Sequence, residues 1–208
     1  MKCPLCSQNA ILFSTIHSKE YYRCGNCFVI FLSAEFYISR EKEKLRYQLH
    51  NNNVNDKGYQ AFVNPIVQAV LTHFSKASTG LDFGSGTAPV ITKLLRDQNY
   101  NLTTYDLYFD NNKKALQKSY DFIVCCEVIE HLKKPFKTFQ LLKSLLNPYG
   151  SLLCMTHIYN ETINFENWYY KNDETHIIFY HEESLKWIKN TLGFSNVTIQ
   201  NRLVVFNL

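Results

Sequence analysis

The stretch that most restricts what this chain can fold into is Gly80-Leu81-Asp82-Phe83-Gly84-Ser85-Gly86-Thr87-Ala88-Pro89. A short apolar run reaches an acidic residue, turns on two glycines one residue apart, and passes into Val90, Ile91, Leu94 and Leu95, which recur at helical spacing. A strand that turns sharply into a helix gathers the unpaired N–H groups of the helix start at one spot, and glycines there let a bound molecule approach the backbone. The pattern predicts an α/β sheet organised around a ligand cradle.

The neighbouring residues narrow the ligand. Pro89 stands where a dinucleotide fingerprint needs a third small residue, and no lysine follows Gly86 until Lys93, so the turn lacks phosphate-gripping equipment. Asp82 precedes the glycines, and Asp106 ends the next strand pattern, Asn101–Asp106. It lies twenty residues past Gly86, where a strand-terminal acid can accept both hydroxyls of a ribose. Two carboxylates around a glycine turn suit a ligand with an ammonium group and a ribose diol. S-adenosylmethionine carries both.

Only fourteen residues separate Asp106 from Asp121, too few for helix, strand and helix, so the sheet is expected to lack one edge strand. Tyr120–Cys126 reads as a fully buried strand, Pro135–Leu146 as a helix and Ser151–Thr156 as a further strand. Such alternation predicts a mostly parallel sheet with helices on both faces, which binds ligands beyond the carboxyl ends of its strands. Gly84, Asp106, Glu127 and His157 fall at those ends. Cys125, Cys126 and Cys154 sit in apolar strand patterns and are expected to be small buried hydrophobes.

Upstream, Ser39–Asn53 reads as a charged, solvated helix, and Tyr59–Phe74 presents Phe62, Ile66, Val67, Val70, Leu71 and Phe74 as a core face. Downstream, residues 158–181 are rich in Trp, Tyr, Asp and His. They form either a lid over a pocket or an aromatic core with His176 bonded to backbone. Glu182–Leu192 is a helix, and Asn196–Ile199 with Leu203–Phe206 a closing hairpin.

Cys3-Pro4-Leu5-Cys6 and Cys24-Gly25-Asn26-Cys27 are C-x-x-C knuckles seventeen residues apart, the spacing at which four thiolates close on one zinc ion. Four protein ligands make the expected Zn2+ structural rather than catalytic. The 208 residues suit a zinc ribbon at 1–38, a helical linker at 39–58 and one medium α/β domain at 59–208. Met1-Lys2-Cys3-Pro4 is no secretion signal and no apolar run could span a bilayer, so a cytoplasmic protein with no membrane partner is expected. The net charge of +4, thinly spread, allows a nucleic-acid partner without arguing for one.

Together these residues resemble a class I S-adenosylmethionine-dependent methyltransferase with a Rossmann-like sheet. Leu81–Gly86 looks like the family's first motif and Asp106 like its ribose-binding acid; Tyr120–Ile123 with Glu127–His131 looks like the fourth-strand motif of the ubiquinone-methylase-like branch, and Leu146–Leu152 like the fifth-strand motif. The resemblance implies a cofactor site made by Asp82, Phe83, Gly84, Ser85, Gly86, Thr87, Pro89, Asp106, Leu107 and Glu127. The ribbon cysteines, Arg46-Tyr47 with His50, and Trp168-Tyr169-Tyr170 with Asp173, His176 and Tyr180 further resemble small bacterial zinc-ribbon methyltransferases. That implies substrate contacts from Arg46, Tyr47, His50, Trp168 and Tyr170. Ala88-Pro89 departs from relatives that carry another glycine there, and the shortened third-strand region removes the acid that normally meets the adenine.

Methyl transfer to a hydroxyl or amine also calls for a base, for which histidine is suited. His176, with Asp173 three residues earlier to orient it, ranks before His157 and His131, and Tyr180 completes the expected catalytic set. The aromatic lid and the lack of a basic stripe favour a small-molecule acceptor. An RNA or protein substrate docked on the ribbon, and a non-catalytic cofactor-binding protein, are the alternatives.

Overall fold

The computed structural model describes residues 1–49 and 53–208. It begins with three antiparallel strands, β1 (Ala10–Ile16), β2 (Lys19–Cys24) and β3 (Ile30–Leu32). His17 and Ser18, both at positive φ, supply the two-residue turn that matches strand twist between β1 and β2. Each cysteine knuckle is closed by a residue at positive φ, Ser7 or Phe28, whose N–H donates to the carbonyl of the knuckle's first cysteine.

Helices α1 (Arg40–Leu49) and α2 (Lys57–His73) follow, the latter capped by Asp56, whose carboxylate accepts the Tyr59 N–H. The central sheet has six strands: β4 (Thr79–Phe83), β5 (Asn101–Tyr105), β6 (Tyr120–Cys126), β7 (Leu146–Met155), β9 (Asn196–Gln200) and β10 (Leu203–Asn207). Their order is β5-β4-β6-β7-β10-β9, the first four parallel and the last two antiparallel. Between β5 and β6 the chain makes only a 3-10 turn at Lys113–Gln117, so the sheet ends at β5, as the spacing predicts.

Alternation along β6 sorts the layers. Phe122 and Val124 face α2 and α3 (Val90–Asp97), packing with Ile66, Val70, Ile91 and Leu95. Ile123 and Cys125 face α4 (Pro135–Ser144) and α5 (Glu182–Leu192), packing with Phe139, Leu142, Leu185 and Ile188. Cys125 and Cys154 are buried there as expected; Cys126 is half-buried and turns toward a cavity instead.

One strand joins the two sheets' territories. The short β8 (Ile178–Phe179), from the aromatic insert, pairs antiparallel with β3, so the ribbon sheet reads β1-β2-β3-β8. The ribbon's Leu5, Val29 and Phe31 share one apolar cluster with α4 and α5, and its Tyr21, Ile30 and Leu32 pack with Trp168, Tyr170 and Phe179 of the insert. Among the described residues, no helix is long and apolar enough to cross a membrane.

Candidate functional site

The carboxyl ends of β4, β5, β6 and β7 open into a cavity of about 850 Å3. At its floor Gly84 and Gly86 adopt φ of 79° and 66°. A Cβ on Gly84 would clash with Val128 Cγ2, so the turn is closed from behind by the segment after β6. A Cβ on Gly86 would meet none of the described residues within 4 Å, which is the open face of the cradle. Gly84 and Ser85 donate their N–H groups to the Tyr105 carbonyl, and Gly86 donates to Asp106 Oδ2 at 3.0 Å. Asp106 Oδ1 accepts from the N–H groups of Tyr108 and Phe109, which fixes this carboxylate at the cavity wall.

Phe83, Ser85, Thr87, Leu107 and Glu127 line the same cavity, so eight of the ten sequence-predicted cofactor residues converge. Asp82 and Pro89 do not line it. Asp82 is 3% exposed, with Oδ2 accepting the Thr92 hydroxyl at 2.7 Å beneath α3, because alternation along β4 turns it under the helix. Burial pushes its carboxyl up to about 6.

Glu127, just past β6, has a φ of 50°, a costly conformation for a residue with a side chain and one that concentrates at functional sites. Its Oε1 accepts from Arg202 Nη2 at 2.6 Å, and Arg202 stands 4.1 Å over the Phe62 ring. Burial, then the charge of Glu130, pushes Glu127 up to about 8 against the opposing pull of Arg202. Arg202 is a lining residue that sequence reasoning missed: it sits in the β9–β10 turn and reaches the site only through strand pairing.

The roof comes from the insert and α1. Tyr169, Tyr170, Asp173 and His176 line the cavity together with Arg46 and Tyr47. Arg46 Nη2 donates to Asp173 Oδ2 at 2.9 Å, and Lys133 donates to Glu43, so the helix expected to be a solvated linker closes one side of the site. Although burial opposes it, hydrogen bonds from Thr175 and Arg46 hold the Asp173 carboxyl well below the usual carboxylate range. That carboxylate was expected to orient His176. The His176 ring donates Nδ1–H to the Tyr170 carbonyl at 2.6 Å, and its charge helps to lower Asp173.

His131, in a 3-10 turn at Ile129–His131, donates Nδ1–H to the Thr175 carbonyl at 2.9 Å, and its ring lies edge-on to His176 at 4.8 Å between centroids. His157 is held by the Tyr169 hydroxyl at 2.7 Å; burial, then the charges of Arg202 and His176, pushes it down to about 4. All three histidines line the cavity. Besides Asp82 and Pro89, the expected site residues Trp168 and Tyr180 do not. Trp168 is buried among Tyr159, Phe165 and Phe179, and Tyr180 is wholly buried with its hydroxyl donating to the Ile129 carbonyl. Trp168 serves the aromatic core, the other reading of the insert, whereas Tyr180 packs against Phe139 in the apolar cluster shared with α4 and α5. His50 lies outside the described residues.

A family model described as a methyltransferase domain matches residues 56–199. No curated protein matches the chain. Among solved structures, an O-methyltransferase family protein from Burkholderia thailandensis superposes with a TM-score of 0.53 at 10% identity, covering 71% of this chain and 56% of that one. A SAM-dependent methyltransferase from Archaeoglobus fulgidus gives 0.53 at 21% identity, covering 67% and 71%. Magnesium protoporphyrin IX methyltransferase from Synechocystis, solved with bound SAM, gives 0.52 at 14% identity, covering 83% and 93%. This chain thus spans little more than half of the Burkholderia protein, and at these identities the likeness is one of fold. The domain match covers more than half of the sequence, and the chain belongs to the methyltransferase-domain family.

Proposed function

We propose that this chain transfers a methyl group to a hydroxyl or amine of a small molecule held under the aromatic insert. One observation carries the reading: the glycine cradle, Asp106 and three histidines face a single cavity of about 850 Å3, within the range of about 300–1,000 Å3 typical of small-molecule sites. Gly84–Thr87 would cradle S-adenosylmethionine, Asp106 would accept its ribose hydroxyls, and Glu127 with Arg202 offers a carboxylate and a guanidinium to the amino-acid end. The open Cβ direction at Gly86 and the acid fixed beside it fit such a ligand. Bound there, the cofactor supplies a methyl carbon already activated by a sulfonium sulfur.

The protein's own contribution is alignment and dryness. Tyr47, Tyr169 and Tyr170 wall the acceptor side, and the Arg46–Asp173 pair ties α1 to the insert across it. The acceptor's proton is taken within the cluster His131, His157 and His176. His131 and His176 each donate Nδ1–H to a backbone carbonyl, so in the neutral ring the lone pair sits on Nε2. The names of the Burkholderia and Synechocystis neighbours, an O-methyltransferase family protein and a porphyrin methyltransferase, agree with a small acceptor.

Cys3, Cys6, Cys24 and Cys27 are proposed to hold a structural Zn2+. Their sulfurs all lie within 4.8 Å of one another, with contacts of 3.6 and 3.3 Å between Cys3 and Cys27 and between Cys6 and Cys24. Tetrahedral bonds of about 2.3 Å place sulfurs about 3.8 Å apart, whereas a disulfide needs about 2 Å.

Calorimetric titration with S-adenosylmethionine and S-adenosylhomocysteine, followed by a panel of phenols, amines and RNA, tests the reading. Micromolar cofactor binding and methylation of a small acceptor are expected; methylation of RNA alone, or no cofactor binding, would overturn it.

A further inference from the structure

The buried polar cluster at the back of the cavity has a donor set that methyl transfer alone does not explain. Glu130 lies in the turn after β6 and is 0% exposed, yet its Oε2 has no hydrogen-bond partner among the described residues. A carboxylate buried in this way is costly without a compensating cation, and Arg202, whose charge reaches Glu130, is bound to Glu127. The other oxygen, Oε1, accepts the Tyr170 hydroxyl and lies 4.0 Å from His131 Nε2. His176 closes the group: one donor atom from each of Glu130, His131 and His176 lies within 4.8 Å of the others.

We propose that Glu130, His131 and His176 form a second metal site, distinct from the cysteine cluster, that takes a divalent first-row transition-metal ion. Both rings are held by the arrangement common in metal-binding histidines, with Nδ1–H on a backbone carbonyl and the Nε2 lone pair as donor. The Tyr170 hydroxyl, itself 3.1 Å from Thr156 Oγ1, orients the carboxylate. Two imidazoles and one carboxylate suit Zn2+, Fe2+, Co2+ or Mn2+, and exclude the all-thiolate preference of the ribbon. Ligand bonds of about 2.0–2.2 Å bring donors about 3–3.5 Å apart, so the side chains need to draw together by about 1 Å.

Because His131 and His176 line the cavity, a three-ligand site leaves its open position toward the acceptor. Resting on the proposed function, this deepens it: the acceptor class becomes one with an oxygen that a metal can bind, such as a catechol or a vicinal diol, the two histidines act as ligands, and of the three histidines His157 is left to take the acceptor's proton.

The test uses the full-length protein with its ribbon loaded with zinc. Titration with Mn2+, followed by loss of the free-ion electron paramagnetic resonance signal, reports a nitrogen–oxygen site, because thiolates bind this ion poorly. One Mn2+ per chain is expected, weakened at least tenfold in both His176→Ala and Glu130→Gln. Tyr170→Phe should weaken it about 10–100-fold while keeping the ligands. Co2+ on the same samples should give ligand-field bands without thiolate charge transfer. Neither ion binding beyond the ribbon, or binding unchanged in the folded His176→Ala protein, overturns the site. Cofactor titration on the same preparations separates the two readings: cofactor binding without Mn2+ or Co2+ refutes the metal alone, and metal binding without cofactor refutes the methyltransferase reading alone.

Discussion

Replacing Asp82 by asparagine should make the protein more stable and a poorer cofactor binder. The Asp82 carboxylate is enclosed beneath α3, accepting the Thr92 hydroxyl at 2.7 Å, and burial pushes it from 3.8 to about 6. At about 1.4 kcal/mol per pH unit, that gap makes ionised Asp82 cost the native state about 3 kcal/mol. The sign follows from proton binding. Between pH 4 and 6 the native carboxyl keeps a proton that the unfolded chain has lost, so wild-type stability from this group is complete below about pH 4 and is lost as pH rises through about 6. The asparagine side chain has no such dependence and can still accept from Thr92. Urea unfolding of wild type and Asp82→Asn between pH 4 and 8, with zinc constant, should show the variant ahead by up to about 3 kcal/mol at pH 8, worth about 6–12 °C in Tm, and nearly level at pH 4. Calorimetry at pH 8 should show weaker S-adenosylmethionine binding, because the buried negative charge behind the glycine turn favours a cationic ligand. A variant no more stable at pH 8, or one whose gain is the same at pH 5 and pH 8, would show that the buried Asp82 charge does not destabilise the fold.

Gly84→Ala should cost about 1–2 kcal/mol from its left-handed backbone and more from the clash with Val128. Gly86→Ala, with an open Cβ direction, should lose cofactor affinity with the backbone cost alone, and melting curves that do not separate the two would count against the turn geometry. If the ribbon cysteines hold the proposed zinc, chelating it should remove folding energy on the order of 10 kcal/mol. Because β8 is paired with β3, amide exchange should then quicken at Ile178 and Phe179 as well as in residues 1–32; protection lost from the ribbon alone would show the two to be uncoupled.

What the sequence disclosed was local. The glycine turn, Asp106 at its twenty-residue spacing, the cysteine knuckles and the shortened edge of the sheet are fixed by residues near one another in the chain, and each is found in place. What stayed hidden depends on facing. Asp82 and Phe83 are adjacent, yet only Phe83 turns toward the cavity; Trp168 and Tyr170 stand two apart in one aromatic run, yet only Tyr170 lines it. A two-residue strand such as β8 carries no readable period, and its pairing was settled by the unpaired edge of β3. Arg202 had no local signal at all. Glu130 had one: a carboxylate between Ile129 and the apolar continuation at Leu132 is an expensive residue to bury without a partner, and that cost could have marked it.

The pairing of β8 also decides what the ribbon does for the site. Three short strands have too little core to stand alone, and a two-residue strand cannot hold itself in place. Joined, they form a line of dependence from the cysteine cluster through Ile30 and Phe31 to Ile178 and Phe179. The segment leading into β8 carries His176, and Tyr170, which presents its hydroxyl to Glu130, packs against Phe179. The roof of the cavity is therefore ordered by the same free energy that orders the ribbon, and cutting the chain after residue 38 would remove the sheet edge on which that roof is built. A ribbon that only docked a partner would not need to lend a strand to the insert that roofs the cavity.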